Sequence, residues 1–150
     1  MDLDPSTFDD MTAEEFVRII RGMSDREILA TMRGEHRVAI LDGIFEHFPL
    51  VFSAERAQGV SQVTHMRITG GPPDHPDDTY EVVVNDGECW IADEPGPDYD
   101  VSLMMGPVEL TKLITGTANP TLMVMRGKLK VRGDVTLAKR FSSYFTSPGA

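Results

Sequence analysis

The chain has 150 residues, of which 41% are hydrophobic and 25% are charged, a composition typical of an ordinary globular domain. Fourteen Lys and Arg residues against 24 Asp and Glu residues give a formal net charge of −10, which repels phosphate backbones and argues against nucleic acid as a partner. The single cysteine rules out a disulfide within the chain, and neither a secretory signal nor a run of about 18 apolar residues is visible. We therefore expect one cytoplasmic domain.

The N-terminal third has helical periodicity. After an acidic lead-in over residues 1–11, capping-box pairs occur at Thr12 with Glu15 and at Ser24 with Glu27. Pro49 is expected to end the third of these helical segments, because it lacks a backbone donor. The sequence predicts three short amphipathic helices, with apolar residues at helical spacing over 16–23, 28–32 and 41–48.

After Gly59 the hydrophobic period changes to two, which indicates strands. The turn sequence Asn85-Asp86-Gly87 predicts a hairpin between the second and third strands. Helices are expected from Pro107 to Gly116 and from Val135 to Phe145. The sequence thus predicts an α+β fold with five strands, over residues 63–68, 80–84, 88–92, 101–105 and 128–132.

Motifs for catalysis or for a cofactor are absent from the sequence. The four histidines, His36, His47, His65 and His75, lack metal-ligand spacing, and the acidic loop at 74–78 lacks the spacing of a calcium-binding loop. No nucleophile elbow, P-loop or dinucleotide fingerprint occurs. We therefore predict no catalytic residue, no metal site and no cofactor. A small hydrolase or isomerase that uses His65 with an acidic partner stays open as a third hypothesis.

Nine methionines is a high number, and five of them lie in or beside the predicted strands and the segment before Gly127. Methionine is flexible and polarizable, so it fills irregular space and adapts to varied apolar ligands. The sequence leaves two interpretations open, a gap-filling core and an apolar pocket. These five are Met66, Met104, Met105, Met123 and Met125.

Positive charge concentrates between Arg126 and Arg140, where six basic residues and one acidic residue give a local net charge of +5. One interpretation is an edge strand that lysine protects from pairing with other chains. The other is a surface that contacts anionic lipid head groups or a lipid-metabolising enzyme. The basic residues assigned to that contact are Lys128, Lys130, Arg132, Lys139 and Arg140.

The C-terminal run from Gly116 to Phe145 resembles the signature of the sterol carrier protein type 2 family, the sterol-binding or lipid-transfer domain. The resemblance rests on Gly127-Lys128-Leu129-Lys130-Val131, Gly133-Asp134 and Leu137-Ala138, and it extends upstream to Asn85-Asp86-Gly87 and Asp100-Val101-Ser102-Leu103. It covers roughly residues 35–146. It implies a sterol-carrier-like domain over 35–150, with residues 1–34 as an N-terminal helical extension packed on it in a single globular unit. One departure is that the chain has no phenylalanine just before its Met-x-Gly step, so the pocket shape is expected to differ.

The resemblance implies a five-stranded, largely antiparallel sheet covered by helices, which enclose an apolar tunnel for a sterol, a fatty acid or a fatty acyl-CoA. It brings no catalytic residue and no cofactor. The terminal helix is a candidate lid over the tunnel. The alternative from another functional class is a non-catalytic interaction module or an accessory subunit for a lipid- or steroid-processing enzyme. The expected lipid-contacting residues are Met104, Leu113, Leu122, Met123, Met125, Phe141 and Phe145.

Overall fold

A computed structural model of the chain describes residues 13–115 and 118–145. It contains six α-helices and five strands within those residues. The helices are α1 (Ala13–Arg21), α2 (Asp25–Met32), α3 (Arg37–His47), α4 (Pro107–Ile114), α5 (Pro120–Met125) and α6 (Val135–Ser143). The strands are β1 (Ser61–Ile68), β2 (Asp78–Asn85), β3 (Glu88–Ile91), β4 (Val101–Met105) and β5 (Leu129–Gly133).

The three N-terminal helices begin close to where the sequence predicts them. The Ser24 hydroxyl accepts from the backbone N–H of Glu27, and the Glu27 carboxylate accepts from that of Ser24, so the second capping box is confirmed. The first capping box depends on Thr12, which lies outside the described residues, as does the acidic lead-in. The third helix passes at Phe48 into a short 3-10 turn (Phe48–Val51), which holds Pro49 at its start.

The five strands form one mixed sheet in the order β3-β2-β1-β4-β5. All neighbouring pairs are antiparallel except β1 and β4, which run parallel, so the prediction of a largely antiparallel α+β fold is confirmed. The turn between β2 and β3 needs positive φ at two successive residues, and Asp86 (φ 51°) and Gly87 (φ 79°) provide it. The interpretation of residues 128–132 as an edge strand is also confirmed, because β5 lies at one edge of the sheet.

The sheet has two different faces, because side chains alternate along each strand. We call one the covered face, since the helices pack on it. It carries Gln62, Thr64, Met66, Ile68, Val82, Val84, Val101, Leu103, Met105 and Leu129. We call the other the open face. It carries Val63, His65, Arg67, Glu81, Val83, Trp90, Ser102, Met104, Lys130 and Arg132.

Helix α5 is an element that the sequence patterns above do not predict. The Asn119 side chain accepts from the backbone N–H of Thr121 at 2.8 Å, and Pro120 occupies the first helical position, where no donor is needed. Helix α6 begins in a similar way, with the Asp134 carboxylate accepting from the N–H of Thr136 at 2.8 Å. The α5 helix therefore has its own start signal, and the short length of the element conceals it.

Candidate functional site

The space between the covered face and the helices is filled by one large apolar cluster. Helices α1 to α3 contribute Ile20, Ile28, Met32, Ile40, Leu41, Ile44 and Phe45, and the later helices contribute Val108, Leu110, Met123 and Phe141. Ile20, Ile28 and Met32 belong to the same cluster as the strands, so α1 and α2 pack directly on the sheet domain. The domain boundary at residue 34 stays a prediction.

A small cavity lies at the seam between the N-terminal helices and α4. Its volume of about 10 Å³ is close to the space of a single water molecule, and its walls are almost entirely apolar. This cavity alone is too small for an acyl chain, so a lipid would have to displace side chains around it. The lining residues are Ile20, Met23, Ile28, Thr31, Met32, Ile40, Ile44 and Thr111.

The structure places the seven predicted lipid-contacting residues in three settings. Met123 and Phe141 are buried in the apolar cluster, and Leu113 and Phe145 pack against it half-buried. Leu122 and Met125 lie on α5 with 45% and 77% of their surface exposed. Met104 is half-buried on the open face, away from the other six. The four interior residues thus share one environment, and the lipid contacts assigned to all seven stay predictions.

A row of aromatic rings connects the sheet with the C-terminal helix. The Phe45 ring stacks on Tyr80 with centroids 4.0 Å apart and lies 5.0 Å from Phe48. Phe48 in turn lies 5.3 Å from Phe145, which is 5.1 Å from Phe141. Ring pairs at these separations gain energy beyond their buried area. The row therefore gives the apolar interior a continuous wall that runs from β2 to α6.

Hydrogen bonds hold both ends of the aromatic row in place. The Tyr80 hydroxyl donates to Asp42 at 2.6 Å, and burial raises the pKa of Tyr80, so the phenol stays protonated. At the other end, Phe52 and Phe145 form an isolated antiparallel bridge, and the backbone N–H of Ser53 donates to the Tyr144 carbonyl at 2.7 Å. The C-terminal end of α6 is therefore attached to the segment after the 3-10 turn.

Arg37 is a buried residue that the sequence analysis misses. It is 2% exposed, and its guanidinium donates to Asp78 at 2.8 Å and to the carbonyls of Met32, Thr69 and Ile68 at 2.6 to 3.2 Å. Five donors in a fixed fork can satisfy several acceptors at once, which suits arginine to this position. Arg37 thus joins α2, α3 and the ends of β1 and β2 around the interior.

The open face carries the histidine that the sequence analysis singles out. His65 Nε2 lies 2.9 Å from Glu81 Oε1, and the Tyr99 ring centroid is 4.9 Å from that of His65. The hydrogen bond from His65, with a second from the backbone N–H of Gly96, lowers the pKa of Glu81. A histidine and carboxylate pair does exist, and it fastens the 93–100 segment to the sheet on the side away from the apolar interior.

The predicted basic contact residues Lys128, Lys130, Arg132, Lys139 and Arg140 are all exposed, on β5, on α6 and in the turn before β5. Among the residues that the structure describes, no group of three or more His, Cys, Asp or Glu side chains is arranged to hold a metal ion. None of the helices in the described part of the chain has the length and apolar composition needed to cross a bilayer.

Comparison with known proteins gives a consistent result. The model of the SCP-2 sterol transfer family matches residues 46–146. "Sterol carrier protein 2" of Arabidopsis thaliana is 25% identical over 104 residues, which is 69% of this chain and 85% of that protein. "Hydroxysteroid dehydrogenase-like protein 2" of Rattus norvegicus is 30% identical over 78 residues, which is 45% of this chain but only 15% of that protein. The chain therefore matches a small part of the dehydrogenase-like relative.

A solved structure shows the same fold. The apo form of Sterol Carrier Protein 2 from Yarrowia lipolytica superimposes with a TM-score of 0.50 at 22% sequence identity. The superposition covers 76% of this chain and 94% of that one. At this level of identity the likeness shows the shared fold, and the ligand has to be argued from the residues of this chain.

Proposed function

The chain belongs to the SCP-2 sterol transfer family, and on that premise we propose that it holds one lipid molecule in its apolar interior: a sterol, a fatty acid or a fatty acyl-CoA. Domains of this family are generally non-catalytic lipid-binding folds. The observation that carries the proposal is the continuous apolar cluster with its aromatic row between the covered face and α6. Moving hydrocarbon from water into such surroundings is favourable by about 25 cal/mol per Å².

Native mass spectrometry of the gently purified protein tests this proposal. We expect a population that carries one lipid per chain and loses it on organic extraction, after which chromatography identifies the lipid class. If the purified chain is empty and does not take up an added sterol, fatty acid or acyl-CoA, lipid carriage is wrong. The cytoplasmic location stays a prediction.

Entry of the lipid would require the interior to open, and we propose that α6 is the lid. Its inner surface carries Phe141, and Phe145, which follows its C-terminal end, attaches that end to the rest of the chain through the Phe52–Phe145 bridge. Opposite residues of an antiparallel pair have Cα atoms about 4.5–5.5 Å apart, which a disulfide can span. In a Cys89→Ala background, Phe52→Cys with Phe145→Cys would therefore lock α6 when oxidised.

We expect the oxidised variant to take up lipid at least about tenfold more slowly than the same variant after reduction. The reduced form is the internal control, because it lacks the same two rings. Equal uptake rates in the two redox states would show that α6 does not gate the interior.

The exposed basic residues support a further proposal, that the protein transiently docks on anionic membranes. Lys130 and Arg132 are exposed on edge strand β5, and Leu122 and Met125 are exposed on α5, which packs against β5. Each basic residue close to an anionic surface contributes about 1 kcal/mol, while exposed apolar side chains can enter the interfacial region.

Co-sedimentation with phosphatidylcholine vesicles, with and without phosphatidylglycerol, tests this docking. Lys130→Glu with Arg132→Glu should reduce binding to the anionic vesicles at least about tenfold. Arg26→Glu with Arg33→Glu is the matched control, because it makes the same charge change at exposed positions within α2 and directly after it. If both double variants lose the same binding, net charge and not this surface is responsible.

The second candidate function is a non-catalytic module that serves a lipid- or steroid-processing enzyme. It is favoured by the match to a dehydrogenase-like protein in which the similar segment forms only 15% of the length. A module of this kind is expected to carry no lipid in the native mass spectrum. Its function would be seen only as a change in the activity of the enzyme that it serves.

A further inference from the structure

A buried polar pair interrupts the apolar residues on the covered face of β1. Gln62 is 2% exposed and Thr64 is fully buried, and Gln62 Nε2 donates to Thr64 Oγ1 at 2.9 Å. Among the described residues, no donor reaches the buried carbonyl oxygen Gln62 Oε1. Since buried polar atoms are nearly always paired, an acceptor of this kind requires an explanation.

The surroundings of this pair are apolar on both sides. Thr64 lies opposite Val82 and beside Val101, which belong to the large cluster. Gln62 lies opposite Val84, which packs in a smaller cluster with Ala57 and Tyr144. The half-buried Phe145 of the proposed lid packs against both clusters. The free acceptor therefore lies inside the protein, between the two apolar clusters that Phe145 contacts.

The chemistry of the acceptor restricts what can pair with it. A carbonyl oxygen accepts a hydrogen bond, so its partner must carry an O–H or N–H group. An ionised carboxylate has no such donor, and burying its charge without a counter-ion is costly. A hydroxyl group is neutral, donates one hydrogen bond and is small enough to be buried beside an amide.

We propose that Gln62 Oε1 accepts a hydrogen bond from a hydroxyl group at the polar end of the bound lipid. This inference rests on the proposed lipid-carrying function and narrows it to neutral hydroxylated lipids, such as sterols and long-chain alcohols, over ionised fatty acids. The hydrocarbon part of the lipid then lies among the side chains of the large cluster. Gln62 is the residue that determines selectivity for the head group.

Isothermal titration with 1-dodecanol and with dodecyl methyl ether tests this role. The ether keeps the chain but cannot donate, so the ratio of the two affinities measures the donated hydrogen bond. Gln62→Met keeps the shape and removes the acceptor, and we expect it to lower the alcohol-to-ether ratio about tenfold. Gln58→Met makes the same substitution at an exposed glutamine and should leave the ratio unchanged.

The outcomes separate the two proposals. If wild type binds both probes and the ratio is the same in all three proteins, Gln62 does not recognise the hydroxyl, while lipid binding stands. If wild type binds neither probe nor any of the lipids tested above, the lipid-carrying function fails and this inference fails with it.

Nuclear magnetic resonance of the wild type gives a second measurement: the side-chain amide signals of Gln62 should shift with dodecanol and not with the ether. Equal shifts with both probes would overturn the inference even if the Met variant does not fold.

Discussion

The two faces of the sheet are stabilised by different interactions. On the covered face, buried side chains such as Ile68, Val82 and Val101 pack against the helices, and Arg37 joins the surrounding elements through four hydrogen-bond acceptors. On the open face, the His65–Glu81 pair is largely buried, whereas the Arg67–Asp77 pair reaches solvent. Apolar burial and fully desolvated hydrogen bonds contribute far more than exposed charge pairs. The proposed lipid site lies on the covered face, which also provides most of the stability, so substitutions there are expected to affect both.

The largest expected effect is that of removing a ring from the covered side. Phe45 is 1% exposed and stacks on Tyr80, so Phe45→Ala should lower the free energy of unfolding by about 4 kcal/mol through lost burial and a cavity. Trp90→Ala, on the open face with 42% of the residue exposed, should cost less than about 1.5 kcal/mol. Urea unfolding of both variants measures the difference. Similar losses would mean that the two faces are equally important for stability.

The second prediction concerns Arg37. Arg37→Met leaves Asp78 Oδ2 and three carbonyls without their arginine donor, while Asp78 Oδ1 keeps its contact with His75, and removing one member of a buried pair costs at least about 3 kcal/mol. Adding Asp78→Asn removes the carboxylate charge that has lost its guanidinium partner, so the double variant should be more stable than Arg37→Met alone. Denaturant unfolding of the two variants tests this. If the double variant is the less stable of the two, Asp78 has a stabilising role independent of Arg37.

Part of the covered face could be predicted from the sequence, because the buried residues of β4 recur with period two. Val101, Leu103 and Met105 all point inward as period two requires, and the Asn85-Asp86-Gly87 turn fixes the register of its hairpin. The family could likewise be identified from its C-terminal signature. The parallel pairing of β1 with β4 was not predictable from alternation, since it depends on a long-range contact between strands far apart in the chain.

The polar residues of the interior were harder to predict. Arg37 and Gln62 carry side chains that are usually exposed, and only their tertiary partners reveal that they are buried. Among the predicted contact residues, Met104 lies on the open face. Side chains alternate along β4, so Met105 points inward and Met104, the residue before it, points outward. Alternation alone could have indicated this, whereas the exposure of Met125 depends on the unpredicted helix α5.

A third prediction sharpens the comparison through pH. The pKa of Glu81 is lowered in the folded state by its hydrogen bonds from His65 and Gly96, so its stabilising contribution is present above the ordinary carboxyl pKa and is lost as the pH falls through the lowered one. Glu81→Gln should cost about 1–2 kcal/mol at pH 7, and the difference from wild type should shrink below about pH 4.5. Thermal unfolding across pH 3–7 measures it. Glu88→Gln, an exposed carboxylate on β3, is the control and should show no such trend.

The smallest expected effect is that of the exposed ion pair between Arg67 and Asp77. Both side chains reach solvent, with 49% and 27% of their surface exposed, so water and salt already screen the attraction between them. Arg67→Met should therefore change the free energy of unfolding by less than about 1 kcal/mol, and the difference should fall further in 1 M NaCl. The same substitution at Arg37 costs several times more, because there the desolvated acceptors have no water to replace the lost donor. A loss at Arg67 as large as that at Arg37, persisting in high salt, would show that the open face is as strongly desolvated as the covered one.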